Sequence, residues 1–523
     1  MFFNENTPIQ LFRVTTMKRI AALDSIRGLL LLLMTINHLI WISGGYSVIQ
    51  TVTLQPLGQF GAAECFVFIS GLLAGAIYSR ESITNTQTIT KAWHRAFSIY
   101  RYHITCLLIV FGWVFIASHL LPSAVPILQQ SANNVLAAPI KTFIASAALV
   151  NQPNYFDILP LYIIFMLLLP LLVVAYRKGL GWLVISISIG AWVFSHAINT
   201  ATLIPLFRFI FSDSTIQFGY FNIFAWQLLF VSGSALGYML QNKTLRWRHP
   251  ALTIIATIIA TGLFAAHNGA FSSFGIHRWV LSTYADKPEL GWLRTLNITV
   301  WVYLIAVIIQ RYPNALHIKA LSYIGRHSLR VFSWQVVIVY LSAPLLHNLR
   351  LEPYYILLII AIAATLWLAA LLSEKLNTHT VSRLHWISGF SVMLSFIMLG
   401  NIVSAEGVSP LTIKVTNIND PKTSVLVLVY DEKDDLTQYP SVHLNAYSPQ
   451  KLAQGVTIAA LPLGNYAVLA FQDNDGDYNL TIGNNGMPIE RFGYSNNPPL
   501  DTPVSMDQAK FAHKGPQTQT INF

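Results

Sequence analysis

Charged side chains are scarce in this chain of 523 residues, at 10% of the total, whereas an ordinary soluble domain has roughly 25%. Apolar residues make up 54%. This balance excludes a single water-soluble globule, and it excludes a disordered protein, whose composition is the opposite. The two cysteines, Cys65 and Cys106, are too few for a disulfide-stapled scaffold. Both lie in apolar stretches, where buried thiols without a redox role are expected.

The net charge of +10 is unevenly distributed along the chain. Residues 1–405 carry a net charge of +15, whereas residues 406–523 carry −5. We therefore predict two domains in different surroundings, a membrane domain over 1–405 and an extracytoplasmic domain over 406–523. The basic residues flank apolar segments and do not cluster with aromatic ones, so they indicate membrane topology and no nucleic-acid partner.

Eleven apolar runs approach the length of about 20 residues that a helix needs to cross the bilayer. The sequence therefore predicts a polytopic α-helical membrane protein with about eleven transmembrane helices, at residues 20–42, 57–79, 99–121, 157–176, 180–198, 222–241, 251–271, 292–310, 329–347, 354–373 and 387–405. Residues 127–150 are only moderately apolar. We predict that this stretch is interfacial or re-entrant and does not cross the membrane.

Lysine and arginine are concentrated in alternate connections between these runs, as expected for the cytoplasmic side. One side has 19 of them, and the other has six: Lys141, Arg208, Arg278, Lys287, Arg294 and Arg350. The asymmetry predicts a cytoplasmic amino terminus and places residue 406 onward outside. An odd number of spans agrees with this topology, because it places the amino terminus and residue 406 on opposite sides of the membrane.

From about residue 411 the pattern changes to short β-type runs separated by Gly, Pro, Asn and Asp, which predicts an all-β, sandwich-like domain of about 110 residues. The stretches GNYAVLAFQDNDGDYNL (464–480) and GMPIERFGYSNNPP (486–499) resemble a small bacterial domain family of unknown function. Asp473, Asp475 and Asp477 alternate like calcium ligands. A hairpin-like turn is the favoured interpretation because Gly476 and Asn484 do not fit the EF-hand pattern.

The first apolar run carries polar side chains at membrane depth, namely Asp24, Arg27, Asn37 and His38. Such groups are functional candidates because they are costly in lipid. The eleven steps from Arg27 to His38 come to about three helical turns and a rise of about 16 Å. One face therefore carries a guanidinium near the cytoplasmic end and an imidazole near the outer end, with Asp24 placed to pair with Arg27.

The second run places Glu64 at a depth comparable to that of His38, so we expect the two side chains to meet. An imidazole oriented by a carboxylate suits a general base that takes a proton from a hydroxyl arriving from outside. A guanidinium near the cytoplasm suits a phosphate-bearing donor. The alternative is structural: Arg27 extends to the headgroups and His38 only joins two helices. Gly71 and Gly75 form a small-residue face for close helix packing.

Arg27 and His38 are separated by ten residues. This spacing resembles that of an arginine and a histidine in the first span of membrane acyltransferases. The chain more specifically resembles the OpgC family, which is associated with succinylation of osmoregulated periplasmic glucans. The resemblance covers most of residues 20–390 and rests on five blocks in order: LDSIRGLLLLLMTINHL, GAAECFVFISGLLAG, DILPLYIIFMLLLPLL (157–172), NIFAWQLLFVSGSALGY (222–238) and LSYIGRHSLRVFSWQ (321–335). The last span and the outer β-domain depart from that family.

The resemblance implies that His38 is the catalytic base, with Asn37 and Glu64 beside it. Arg27, with Asp24 on nearly the same face, would lie on the donor path. Arg326 and His327 would contact donor phosphates; for Arg95 and Arg101, ordinary topology is favoured. An acceptor cleft would be lined by Asp157, Arg208, Trp226 and Gln227, although Trp226 equally fits a membrane-interface aromatic.

We therefore expect an inner-membrane, multi-pass O-acyltransferase with no permanently bound cofactor and no metal. A cytoplasmic acyl-CoA, carrying succinyl or acetyl, would be the cosubstrate, and a periplasmic glucan or other envelope glycan the acceptor. Two alternatives stay open at this point: a transporter or flippase for a glycan or an anion, and a membrane sensor with an outer binding domain.

Overall fold

A computed structural model describes residues 20–378 and 408–523, with gaps at 45–46, 122–124, 133–134, 137, 196–218, 243–247, 275–280, 282, 351, 421–422, 424, 438–439, 441, 474–479, 483–487 and 501. In chain order, the helices of the first part are α1 (Ala21–Ile42), α2 (Gln50–Thr53), α3 (Ala62–Tyr78), α4 (Asn85–Leu120), α5 (Val125–Ser131), α6 (Pro139–Ala147), α7 (Ile158–Arg177), α8 (Gly181–Ser195), α9 (Ile223–Asn242), α10 (Pro250–His267), α11 (Trp292–Arg311), α12 (Lys319–Arg326), α13 (Ser328–Asn348) and α14 (Tyr355–Thr378).

Eight of the described helices are long and apolar enough to cross a membrane: α1, α4, α7, α9, α10, α11, α13 and α14. The shorter apolar helices α3 and α8 occupy two further predicted spans. These ten helices overlap the first ten predicted spans, whereas residues 387–405 lie outside the described part of the chain. The chain is a mostly helical, multi-pass membrane protein with a C-terminal β-domain, as predicted.

Two predicted span boundaries are wrong for identifiable reasons. α4 begins 14 residues before the predicted start, because Thr84 and Gln87 cap it reciprocally through their backbone amides, at 3.2 and 3.1 Å. α3 begins at Ala62 instead of residue 57, since Pro56, Gly58 and Gly61 precede its first turn. Glu64 therefore lies in the first turn of α3 and not deep inside a helix.

The helix ends alternate between two ends of the bundle, which we call the Arg27 end and the His38 end after the two residues of α1. At the Arg27 end, the Arg27 side chain donates a hydrogen bond to the Ser328 hydroxyl at the start of α13. At the His38 end, Ser43 shares a hydrogen bond of 2.6 Å with the Tyr355 hydroxyl at the start of α14. α13 is therefore parallel to α1, and α14 is antiparallel to it.

The described residues of the stretch 127–150 lie inside the bundle, and the chain enters and leaves at the same end. The Tyr340 hydroxyl donates to the carbonyl of Ser131 in α5 at 2.8 Å. His103 Nε2, in the middle of α4, lies 3.1 Å from the carbonyl oxygen of Ser146 in α6, and both residues are fully buried. The chain then returns to the His38 end before α7 begins. This course favours the re-entrant alternative over the interfacial one.

Glycines bring α3 and α9 into direct backbone contact. A Cβ added to Gly71 would lie 2.3 Å from the carbonyl oxygen of Phe230, and one added to Gly75 would lie 2.0 Å from that of Ser234. Gly237 of α9 is equally close to Leu72 of α3, at 2.1 Å. The small-residue face predicted on α3 therefore packs against a matching face on α9.

The C-terminal domain is a β-sandwich with eight described strands: β1 (Val408–Thr416), β2 (Val425–Asp431), β3 (His443–Tyr447), β4 (Val456–Pro462), β5 (Gly464–Gln472), β6 (Phe492–Tyr494), β7 (Phe511–His513) and β8 (Gln517–Asn522). One sheet has the order β4-β1-β8, with β1 and β8 parallel; the other is β3-β2-β5-β6, with β7 also paired to β5. Alternate residues of β2 and β5 face the core between the sheets. Asp475 and Asp477 lie outside the described residues.

The β-domain contacts the His38 end of the bundle. α5 packs against β3 and β4. In addition, the Arg350 guanidinium lies 3.4 Å from the Asp434 carboxylate, and both side chains are less than a tenth exposed. Because Arg350 follows α13 directly, this buried ion pair connects the sandwich to a helix of the candidate site described below.

Candidate functional site

His38 is held by side chains from two other segments. The Gln335 amide nitrogen of α13 lies 3.0 Å from His38 Nδ1. The Tyr155 ring lies against the imidazole, with the ring centroids 4.4 Å apart. His38 is half-buried, and thus the protein fixes its orientation without sealing it off.

Tyr155 adopts an unusual backbone conformation, with φ of 69°. A bulky residue in the left-handed region costs about 1–3 kcal/mol and needs support from its surroundings. Its neighbour Phe156 is fully buried and packs against Tyr340, with ring centroids 6.2 Å apart. This packing keeps the Tyr155 ring against His38.

The expected contact between His38 and Glu64 is wrong. Glu64 instead forms a fully buried ion pair with Arg294, near the start of α11. Its second carboxylate oxygen accepts the Gly61 amide at 3.1 Å. The reason is the position of Glu64 in the first turn of α3, where its carboxylate turns back to cap the helix. The amide of Gln335 occupies the place beside His38 that we assigned to this carboxylate.

The side chain of Asn37 forms hydrogen bonds with its own helix and with α2. Its amide nitrogen donates to the Leu33 carbonyl at 2.8 Å, and its oxygen accepts the Thr53 hydroxyl at 3.1 Å. Successive side chains on a helix point about 100° apart, so Asn37 faces α2. Asn37 therefore does not join His38 in one site.

Lys287 lies close to His38 in a ring of aromatic side chains. Its ammonium is about 6 Å from the ring centroids of Trp41, Tyr220 and Phe221, at 6.0, 5.9 and 5.9 Å. Trp41 is three residues beyond His38 on α1, and its ring centroid lies 6.2 Å from that of the imidazole. His38 and Lys287 therefore both lie beside the Trp41 indole.

Burial lowers the pKa of Lys287, and the nearby Arg294 cation lowers it further, whereas the carboxylates of Glu64 and Asp157 oppose these effects. Asp157 immediately precedes α7. Burial raises the pKa of Asp157 to about 6, although its carboxylate accepts the backbone amide of Tyr220, at 2.6 Å. Lys287, which shares the Trp41 ring with His38, therefore lies among a second cation and two carboxylates.

The loop that carries Lys287 is fixed from several sides. The Trp226 indole donates to the carbonyls of Lys287 and Pro288, both at 3.1 Å. Arg294 Nε donates to the Ala285 carbonyl at 2.8 Å. Asn222 donates to the Glu289 carboxylate at 2.7 Å. These contacts fix the backbone of the loop and with it the starting point of the Lys287 side chain.

Two of the residues predicted to line an acceptor cleft have other contacts. Trp226 is fully buried because its indole faces the Lys287 loop, so it lines no open cleft. The Gln227 amide bonds to the carbonyl and the hydroxyl of Ser188, at 2.7 Å each, and so joins α9 to α8. Asp157 is two residues beyond Tyr155, whose ring packs on His38. Arg208 lies outside the described residues.

At the Arg27 end, α1 and α12 touch through glycines. A Cβ on Gly28 would lie 1.9 Å from the Leu321 carbonyl oxygen, and one on Gly325 would lie 1.8 Å from that of Asp24. Asp24 is buried at this contact. The Arg27 guanidinium lies 5.7 Å from the Phe66 ring centroid. The GRHS segment (residues 325–328) and Arg27 are therefore neighbours.

The polar side chains of the GRHS segment differ in their exposure to solvent. Arg326 is exposed, and His327 is half-buried with its ring against Tyr323 at 5.6 Å. The Ser328 hydroxyl accepts from Arg27. The predicted grouping of Arg27 with Arg326 and His327 at one end of the bundle is consistent with these positions, whereas their contact with a donor stays a prediction.

Sequence reasoning missed Gln335, Tyr155, Lys287 and Arg294. Gln335 was detectable as an amide inside an apolar span, where each polar group needs a partner. Lys287 and Arg294 were detectable as cations on the side that the positive-inside asymmetry leaves poor in charge. Tyr155 had no local signal because its role depends on its backbone conformation.

The helical bundle and its two polar ends define a multi-pass membrane protein in which a half-buried imidazole and a guanidinium lie on one helix. A family model described as OpgC protein matches residues 19–378, and the chain belongs to this family. Family membership indicates a membrane acyltransferase associated with glucan succinylation. Residues 413–522 match a family of uncharacterized proteins conserved in bacteria, DUF2141. No curated protein and no solved structure matches the chain.

Proposed function

We propose that this protein transfers an acyl group from a cytoplasmic acyl-CoA to a hydroxyl of a periplasmic glucan, with His38 as the general base. The observation that carries the proposal is the held but accessible imidazole, bonded to Gln335 and packed on Tyr155. The Trp41 ring, which is 41% exposed, adjoins the imidazole, so an acceptor can approach from the His38 end.

The Gln335 amide sets which nitrogen of His38 can accept a proton. When the amide NH₂ donates to Nδ1, the ring proton is on Nε2, and Nε2 has no free lone pair. A half-turn of the amide brings Gln335 Oε1 to the ring; this oxygen is buried and has no hydrogen-bond partner among the described residues. It then accepts the proton of Nδ1–H, and Nε2 becomes the base.

In the transfer, the acceptor hydroxyl attacks the thioester carbonyl of the donor and its proton moves to His38 Nε2. The tetrahedral intermediate collapses with loss of the CoA thiolate, which receives the proton from the imidazolium. The acyl ester of the glucan and free CoA are the products. The contribution of such a base is about 10²- to 10⁴-fold in rate.

The Arg27 end is the proposed donor side. Arg27 and exposed Arg326 supply guanidinium groups for phosphates, and Arg27 lies about 16 Å along α1 from His38. The excess of basic residues supports a cytoplasmic location for this end and a periplasmic one for the β-sandwich, in an inner-membrane protein. A pantetheine arm passing between the helices would span this distance.

Sealed proteoliposomes test the proposal. Labelled succinyl-CoA is placed on the side of the Arg27 end and glucan on the other side, and the reverse arrangement is the control. We expect labelled glucan only in the first arrangement, with release of one CoA per ester formed. Movement of unmodified glucan across the bilayer without ester formation would favour a transporter and refute the proposal.

A further inference from the structure

We propose that Lys287 binds a carboxylate on the acyl group of the donor and thereby selects succinyl over acetyl. The inference rests on the proposed function. It assigns a specificity-determining residue to the loop before α11, at the same end of the bundle as His38.

The Lys287 ammonium has aromatic neighbours but no hydrogen-bond acceptor among the described residues. Three aromatic faces stabilise its charge at about 6 Å, but rings do not satisfy its three N–H donors as an oxygen does. Among the described residues, its ammonium forms no ion pair and no hydrogen bond. The cation therefore retains donors for an anionic ligand.

The neighbouring carboxylates already have other hydrogen-bond partners. Glu64 pairs with Arg294 and also accepts the Gly61 amide. Asp157 accepts the Tyr220 amide at 2.6 Å. Neither carboxylate lies within salt-bridge distance of Lys287. An added carboxylate would thus find an unpaired cation in partly desolvated surroundings, where charge-assisted hydrogen bonds are strong.

Lys287 lies within reach of the proposed reacting centre. Lys287 and His38 both lie beside the Trp41 ring, whose centroid is 6.0 Å from the ammonium and 6.2 Å from the imidazole centroid. A thioester carbonyl beside His38 thus brings a carboxylate a few carbons away towards Lys287. The donor phosphates are expected at the opposite end, near Arg27, so they are poor candidates for this cation.

The experiment compares two donors on one acceptor. The Lys287→Gln variant is assayed with succinyl-CoA and with acetyl-CoA at a fixed concentration of neutral glucan. We expect kcat/KM for succinyl transfer to fall about 10- to 100-fold, as for loss of a hydrogen bond to a charged group, with acetyl transfer changed less than threefold. Lys287→Arg should retain most of the preference because it keeps the charge.

Lys141→Gln is the matched control, since Lys141 is an exposed cation of α6 outside the aromatic ring of Lys287. It should leave both donors unaffected. Equal losses for both donors in a Lys287→Gln protein with unchanged melting temperature would overturn the carboxylate role and leave the acyltransferase intact. If the parent protein transfers neither acyl group, the proposed function fails, and the assignment of Lys287 fails with it.

Discussion

Replacing Gln335 tests how His38 is oriented. In Gln335→Leu the volume is nearly kept, but the 3.0 Å contact to His38 Nδ1 is lost. A buried polar atom left without its partner costs about 1–3 kcal/mol. If that cost appears in the transition state, in which the imidazole gains charge, kcat falls about 5- to 150-fold.

Gln335→Glu is the informative counterpart. A carboxylate can only accept at Nδ1–H, so it enforces the tautomer with a free Nε2 lone pair. It also stabilises the protonated ring, so the acid limb of the pH-rate profile should move to higher pH. We expect kcat at alkaline pH to stay within about tenfold of the parent value. The charge-assisted hydrogen bond is stronger than the neutral bond that it replaces, and the cost of desolvating the carboxylate offsets this gain.

The assay is acyl transfer to glucan by purified protein over a pH series, with the melting temperature of each variant as the control for folding. If Gln335→Leu matched the parent in kcat and in pH profile, the orienting role of this amide would be refuted. Equal losses in the leucine and glutamate variants at every pH would also contradict it, since only the first removes the partner of Nδ1.

Three further predictions concern other parts of the molecule. Arg294→Met leaves the Glu64 carboxylate buried without its partner and should lower the unfolding free energy by about 3–5 kcal/mol, whereas the double variant with Glu64→Gln should recover part of the loss in thermal denaturation. Gly75→Ala places a Cβ 2.0 Å from the Ser234 oxygen and should cost about 1–3 kcal/mol, whereas Gly190→Ala, with nothing within 4 Å, should not destabilise; equal melting temperatures would contradict the close α3–α9 contact. Asp434→Arg should release the β-sandwich from the bundle and speed its removal by limited proteolysis. Arg350→Asp in the same chain should restore protection. If the single variant were cleaved at the parent rate, this ion pair would not hold the two domains together.

The helical architecture was predictable because span length and polar spacing are local properties. The face shared by Arg27 and His38 follows from helical geometry alone, and the glycines of α3 indicate a close helix contact whichever helix supplies it. The β-sandwich was predictable because its strands alternate and are separated by turn residues.

The composition of the site was less predictable because its partners come from distant segments. The local sequence around Glu64 does not show that Arg294, 230 positions later, provides the buried cation. Proximity in sequence suggested His38 instead. The glutamate also caps its own helix, and this local hydrogen bond directs the carboxylate away from the imidazole.

The replacement of His38 by alanine tests the central claim most directly. We predict that His38→Ala, at a melting temperature near that of the parent, lowers the rate of acyl transfer to glucan by about 10²- to 10⁴-fold, while His119→Ala, at an exposed position near the end of α4, retains full activity. Transfer by His38→Ala at the parent rate would contradict the claim.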